Sequence, residues 1–260
     1  MEIVILPDAE AVARIVADAV DRLVSSKPNA VLGLATGSSP LGAYDELVRR
    51  YRAGTLEFRR TTAFLLDEYV GLAPGHPEAY RAFIERHFAG LVDIDPANVH
   101  SPDGSSLDVE SACADYEQQI RLAGGIDIQL LGVGADGHLG FNEPTSSLAS
   151  RTRVKTLTDQ TRQDNARFFA DVDDVPRHVV TQGIGTILEA RHLVLIACGA
   201  AKAEPIARGV EGPVASMCPA SAIQLHPHAT VVVDEAAASR LTLTDYYRAT
   251  FAAKPTWQSL

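Results

Sequence analysis

The chain of 260 residues is poor in cysteine, in positive charge and in long apolar runs. Its three cysteines, Cys113, Cys198 and Cys218, are odd in number and show no CxxC spacing. That argues against a disulfide framework or a cysteine zinc site, and it fits a reducing, cytoplasmic setting. Lys and Arg total 23 against 33 Asp and Glu, a formal net charge of −10. With no basic tract, nucleic acid and anionic membrane are not expected partners. An anionic small molecule has to be held by local groups instead. No apolar run reaches bilayer length. The opening MEIVILPDAEAVARIVADAV carries acidic residues where a secretory signal is basic. Repeats, low-complexity tracts and Pro/Gly/Ser-rich linkers are also missing, so residues 1–260 are expected to form a single domain.

Apolar residues are plentiful, at 46%. They fall into strand-like runs at Glu2–Leu6, Ala30–Thr36, Thr62–Leu66, Ile126–Gly132, His192–Cys198 and Ala229–Val233. Helix-period stretches separate them at Asp8–Val24, Leu41–Ala53, Pro77–Ala89, Leu107–Ala123 and Ala200–Val210. Strands alternating with helices predict an α/β fold: an open, mostly parallel sheet with helices on both faces, a Rossmann-like three-layer sandwich. Ligands of such sheets sit beyond the C-terminal strand ends.

Three motifs fall at those ends. After the second strand comes TGSSP, Thr36 to Pro40, where Thr36, Gly37, Ser38 and Ser39 offer hydroxyls and backbone N–H groups at a helix start. Such a turn can seat a phosphate, with Ser39 as the expected N-cap, or be an ordinary capped turn. The Lys and the longer loop of a P-loop are missing. After the third strand comes LLDEYVG, with Asp67 and Glu68. Asp67, the first residue beyond the apolar run, is the preferred general base. After the fourth comes GADGHLGFNEP, Gly134 to Pro144. Its His138 lies between Asp136 and Glu143, an arrangement that orients an imidazole and raises its pKa for proton transfer. The loop offers no second His or Cys for a metal, and no GxSxG nucleophile elbow occurs. Arg167 in DNARFF and Lys202 after CGAAK could reach the same edge or be solvated surface charges.

TGSSP, LDEYVGL, GADGHLGFNEP, SSLASRTRVKTLT and IQLHPHA, in this order and spacing, resemble the glucosamine-6-phosphate deaminases. The likeness runs from the first strand to about Leu241. It implies aldose–ketose isomerisation with deamination of glucosamine 6-phosphate to fructose 6-phosphate and ammonia, a hydrolase of amino-sugar catabolism without metal or organic cofactor. It matches Asp67 to the enolisation base and His138 to the ring-opening group, supported by Asp136 and Glu143. The phosphate seat matches Thr36 to Ser39, Arg167 and Lys202. Some relatives are hexamers activated by N-acetylglucosamine 6-phosphate at a site matching Ser146, Arg153, Lys155 and Thr156, so a homo-oligomer is implied. The C-terminal tyrosine of that site is matched only loosely, by Tyr246 or Tyr247. A related fold, 6-phosphogluconolactonase, shares the GxxDGH turn but needs neither the FNEP carboxylate nor the DEYVG base. A ligand sensor would be expected to carry a DNA-binding segment. Galactosamine 6-phosphate differs from the expected substrate in one hydroxyl configuration and stays an alternative.

Overall fold

The computed structural model describes all residues except 74, 159–160, 164–168, 170, 256–257 and 259. In chain order the elements are β1 (Glu2–Leu6), α1 (Ala9–Ser26), β2 (Val31–Leu34), α2 (Leu41–Arg52), β3 (Thr62–Leu65), β4 (Asp67–Tyr69), α3 (Tyr80–His87), β5 (Val99–His100), α4 (Val109–Leu122), β6 (Ile128–Leu131), β7 (Arg153–Thr156), β8 (His178–Thr181), α5 (Ile184–Leu188), β9 (His192–Ala197), α6 (Ala203–Val210), β10 (Ala229–Asp234) and α7 (Thr244–Ala252). All six expected strands are there, and all five expected helices, with ends moved by a few residues.

The main sheet runs β1-β10-β9-β6-β2-β3-β5, every pairing parallel. Alternate residues of each strand feed two cores. From β9, Leu193, Leu195 and Ala197 join Tyr116 of α4, Ile187 of α5 and Ile206 of α6. Val194 and Ile196 point the other way, into the core built with Val16 of α1, Leu47 of α2 and Ile84 of α3. The three-layer expectation therefore holds. α1 shows why the elements form where they do. The Asp8 carboxylate accepts from Ala11 N at 2.8 Å, and Val12, Val16, Val20 and Val24 recur at helical spacing on its buried side.

Strand order reverses between β2 and β6. From β2 the chain builds outward through β3 to β5; from β6 it builds the other way through β9 to β10. The crevice beyond the C-terminal ends of β2 and β6 is the topological switch point, where open α/β sheets bind ligands. TGSSP leaves β2 and GADGHLGFNEP follows β6, so both motifs open on this crevice. The seam itself is short: Leu32 pairs with Ile128 and Gly33 with Gln129. A Cβ on Gly33 would lie 2.1 Å from Gln129 Oε1, so the seam accepts Gln129 because Gly33 has no side chain.

A second sheet, β4-β8-β7, is antiparallel and was not expected. Its strands read poorly because DEY and RVKT carry charge instead of a continuous apolar run. DEY is thus no turn after β3: it is a strand paired to β8, Asp67 opposite Thr181. Among the described residues no helix is long and apolar enough to cross a membrane.

Candidate active site

The loop after β6 is folded tightly on itself. Gly134 N donates to His138 O at 3.0 Å, and Gly137 N to Gly134 O at 3.1 Å. Gly137, at φ +93°, turns the chain in the left-handed region and leaves room for Cys218, whose Sγ would lie 2.7 Å from an added Cβ. The His138 imidazole lies over Gly134: a Cβ there would fall 2.1 Å from the ring. At the far end Thr145 holds φ +77°, a strained value for a β-branched residue, and its N–H donates to Ser216 O at 2.8 Å.

His138 Nδ1 lies 2.7 Å from Asp136 Oδ1 and 3.7 Å from Glu143 Oε2. The contact with Asp136 has ion-pair distance but not the alignment of a directed hydrogen bond. Asp136 Oδ1 does accept one from the His138 backbone N at 3.1 Å. Burial alone would push the imidazole pKa down, but Asp136 and Glu143 overcome it and raise it to about 9. Burial likewise opposes ionisation of Asp136, and its pairing with His138 and Glu143 holds that carboxyl well below the usual range. Glu143 is itself steadied by Thr161 Oγ1, which donates to its Oε1 at 2.9 Å. With Nδ1 held by the carboxylate, Nε2 is the atom free to exchange a proton with a ligand.

Asp67 begins β4 and is buried, and its Oδ1 has no hydrogen-bond partner among the described residues. Burial, reinforced by the charge of Glu68 and opposed by His138, pushes its pKa up to about 8. Gly140 of the loop packs on it, with an added Cβ 3.4 Å from Asp67 Oδ2. Two titratable side chains thus come from different elements and meet at one crevice. Their registration depends on residues that local sequence reading missed. Phe141 N donates to Thr181 Oγ1 at 3.1 Å. Asn142 Nδ2 donates to Leu139 O at 3.0 Å and to Gln182 O at 2.7 Å. Gln182 Nε2 reaches Leu65 O at 3.0 Å, so β8 staples the loop to the strand that leads into Asp67.

Of the residues expected to seat a phosphate, Thr36 to Ser39 and Lys202 stand at the crevice, and Arg167 lies outside the described residues. Gly37 takes φ +87°, and Gly37 and Ser38 are exposed, with Thr36 and Ser39 partly so. The expectation that Ser39 caps α2 is corrected: Pro40 is the N-cap, and no side chain bonds the first turn. The helix therefore presents backbone N–H groups to the crevice, where an anion would meet them. Ser39 Oγ would sit 3.3 Å from a Cβ on Gly132, at the end of β6. Lys202 reaches the same place, donating from Nζ to Val133 O at 2.7 Å. Burial lowers its pKa, with Asp136 opposing.

The residues expected to form a second anion-binding site are only partly brought together. Strand alternation leaves Arg153 and Lys155 half-buried and Thr156 exposed on the other face of β7. Ser146 is buried with its Oγ unpartnered among the described residues. Arg153 Nη1 donates to Asn142 Oδ1 at 2.9 Å, which ties this group to the loop. Beside it a cavity of about 600 Å³ between α4 and β7 is lined by Glu117, Arg121, Arg151 and Arg153.

Ligand atoms of Asp136, His138 and Glu143 lie within 4.8 Å of one another, close enough to suggest a metal. The set is one imidazole and two carboxylates, and its closest pair, His138 Nδ1 and Asp136 Oδ1, stands 2.7 Å apart at ion-pair distance.

The family model for glucosamine-6-phosphate isomerases/6-phosphogluconolactonase matches residues 8–233. The chain belongs to this family. A glucosamine-6-phosphate deaminase of Arthrobacter sp. (strain FB24) is 61% identical over 260 residues, covering 100% of both chains. A solved glucosamine-6-phosphate deaminase, described as monomeric, superposes with a TM-score of 0.89 at 41% identity, covering 92% of this chain and 100% of that one. The 6-phosphogluconolactonase of Thermotoga maritima gives a TM-score of 0.70 at 21% identity over 90% of this chain and 98% of that one, a likeness of fold alone. Within the family fold, the switch-point crevice, the loop after β6 and the strand bearing Asp67 make up the candidate site.

Proposed function

We propose that the protein converts glucosamine 6-phosphate and water into fructose 6-phosphate and ammonia. The observation that carries this reading is the pair of separate proton-transfer groups on one crevice, buried Asp67 and carboxylate-flanked His138. Opening the pyranose moves a proton from the C1 hydroxyl and delivers one to the ring oxygen, work suited to His138 supported by Asp136 and Glu143. Asp67 then takes the C2 proton of the open aldehyde. The enolamine that results is protonated at C1, which leaves an iminium at C2. Water adds there and ammonia departs. C1 is reduced as C2 is oxidised, so the sequence balances without an external redox partner. Thr36 to Ser39, Lys202 and Arg167 hold the phosphate, whose binding energy fixes the sugar in place.

Lactone hydrolysis fits less well, because it has no C–H proton for Asp67 to remove. Ammonia release from glucosamine 6-phosphate, compared with galactosamine 6-phosphate and with hydrolysis of 6-phosphogluconolactone, tests the reading; lactone turnover without ammonia release overturns it. In the free enzyme the base must be ionised, above about 8, and the imidazole protonated, below about 9. The pH profile of kcat/KM is therefore expected to be a bell peaking between those values.

The loop also sets a steric test. Gly134→Ala puts a methyl where the His138 ring lies, and displacing a catalytic group by about 1 Å costs on the order of 10²-fold. The variant is expected to lose that much kcat while its circular dichroism stays native. Unchanged kcat would mean the ring need not sit where it does.

Activation by N-acetylglucosamine 6-phosphate at Ser146, Arg153, Lys155 and Thr156 is part of the proposal. It is supported by a half-buried Arg153 that faces no carboxylate among the described residues and bonds Asn142 of the loop. Kinetics indifferent to the acetylated sugar phosphate would remove it. A hexamer goes with that activation, and the monomeric relative makes sedimentation the deciding measurement. A cytoplasmic location agrees with the free Cys113, Cys198 and Cys218.

A further inference from the structure

Strand alternation along β4 sends Asp67 and Glu68 to opposite faces. Glu68 is buried, and its carboxylate reaches the first turn of α3. Oε1 accepts from Tyr69 N at 2.9 Å and Tyr80 N at 3.0 Å; Oε2 accepts from Arg81 N at 2.9 Å and Ser101 Oγ at 3.3 Å. Both oxygens act only as acceptors, which is the pattern of an anion. The N-cap residue of α3, Ala79, supplies no side-chain cap, so Glu68 does that work from another element. Among the described residues no cation pairs with Glu68. Arg81, the nearest along α3, turns its guanidinium to Glu85 at 2.8 Å and to the carbonyls of Pro96 and Val99.

The helix that Glu68 seats also builds a wall of the site. Tyr80 OH donates to Tyr69 OH at 3.1 Å, and their rings stack at 4.7 Å. On its other side Tyr80 packs against Phe141 of the catalytic loop at 5.8 Å.

We propose that Glu68 is a positioning residue for this reaction: it seats α3 against the site and holds, one residue from Asp67, a negative charge that pairs with no cation among the described residues. A second charge on Asp67 is thereby disfavoured, and Asp67 is made the stronger acceptor for a proton on carbon. The inference rests on Asp67 being the base. Among the described residues the titratable groups whose charge bears on Asp67 are Glu68, next along its strand on the opposite face, His138 from the loop, Tyr80 from α3 and Tyr116 from α4, beside Tyr69. Of these Glu68 is the anion, and His138 the opposing cation.

The test compares the pH profile of kcat/KM and the melting temperature of the wild type with those of Glu68→Gln, Glu68→Asp, Ser101→Lys and Asp67→Asn. Glu68→Gln removes the charge and keeps most of the reach, so the acid limb is expected to move to lower pH by about one unit. Ser101→Lys brings a cation to Glu68 without touching it and is expected to move the limb the same way, which covers the case of a Glu68→Gln chain that does not fold. Glu68→Asp keeps the charge and shortens the reach; its melting temperature is expected to fall with the limb in place. A limb unmoved in folded Glu68→Gln or in Ser101→Lys, or moved equally by Glu68→Asp, overturns the proposal. Asp67→Asn with full activity would instead overturn the reading of Asp67 on which it rests.

Discussion

Asp67→Asn is expected to lower kcat for ammonia release by about 10³-fold or more, while a non-reacting substrate analogue binds as before. Positioned bases contribute roughly 10²–10⁴-fold, and among the described residues no other carboxylate is buried at the crevice with an unpartnered oxygen. The amide keeps the shape and loses the basic lone pair. The same change should make the protein more stable, which separates loss of function from loss of fold. The Asp67 pKa rises from 3.8 to about 8 on folding, so the folded state favours the protonated form. For an acid shifted upward, the penalty is absent below the unfolded value near 3.8, grows as pH rises, and is complete above about 8. The melting temperature of Asp67→Asn should therefore exceed that of the wild type most clearly above pH 8 and converge with it near pH 4. Wild-type turnover in this variant would remove Asp67 as the base.

His138→Gln is expected to cost about 10²–10⁴-fold on the closed sugar and much less on an open-chain substrate. Gln can hydrogen-bond but cannot shuttle a proton, so the deficit falls on ring opening. Equal losses on both substrates would end that role. Stability again gives a second measurement. The folded pKa of His138 is raised from 6.5 to about 9 by its two carboxylates. A base shifted upward contributes stability that is fully present below 6.5 and is lost as pH rises through about 9. The gap in melting temperature between wild type and His138→Gln should close over that window.

Six of the seven strands of the main sheet can be read from the sequence because a strand covered on both faces is a continuous apolar run, whereas β5 is only two residues long. VLGL, IQLL and HLVLIA are buried throughout. β7 escapes that logic: RVKT alternates half-buried and exposed and carries two cations. β4 hides for another reason, since its two carboxylates serve a crevice and a helix end, and only pairing with β8, more than a hundred residues on, makes it a strand. α7 has no buried residue and so no apolar stripe to find. The loop after β6 is legible because Asp136, His138 and Glu143 interact across a few residues. The staple through Thr181, Gln182 and Asn142 is not, since it pairs side chains with backbone groups about forty residues apart. The pairing of Tyr69 with Tyr80 is hidden for a similar reason: their contact is set by the seating of α3.

The seam between β2 and β6 divides the machinery of the site by chain half. Asp67 follows strands built on one side of it and His138 those built on the other. Leu32–Ile128 and Gly33–Gln129 register across that line, with Asp127 N donating to Val31 O at 2.8 Å. A fluctuation that parts base from imidazole has to open this short seam together with the bonds that Gln182 makes to Leu65 and Asn142. Amide exchange of Gly33 and Gln129 should thus report the opening free energy at which activity is extinguished, well short of global unfolding. The lifetime of the working enzyme under denaturing stress would then be set at this line rather than by the two hydrophobic cores on either side of the sheet.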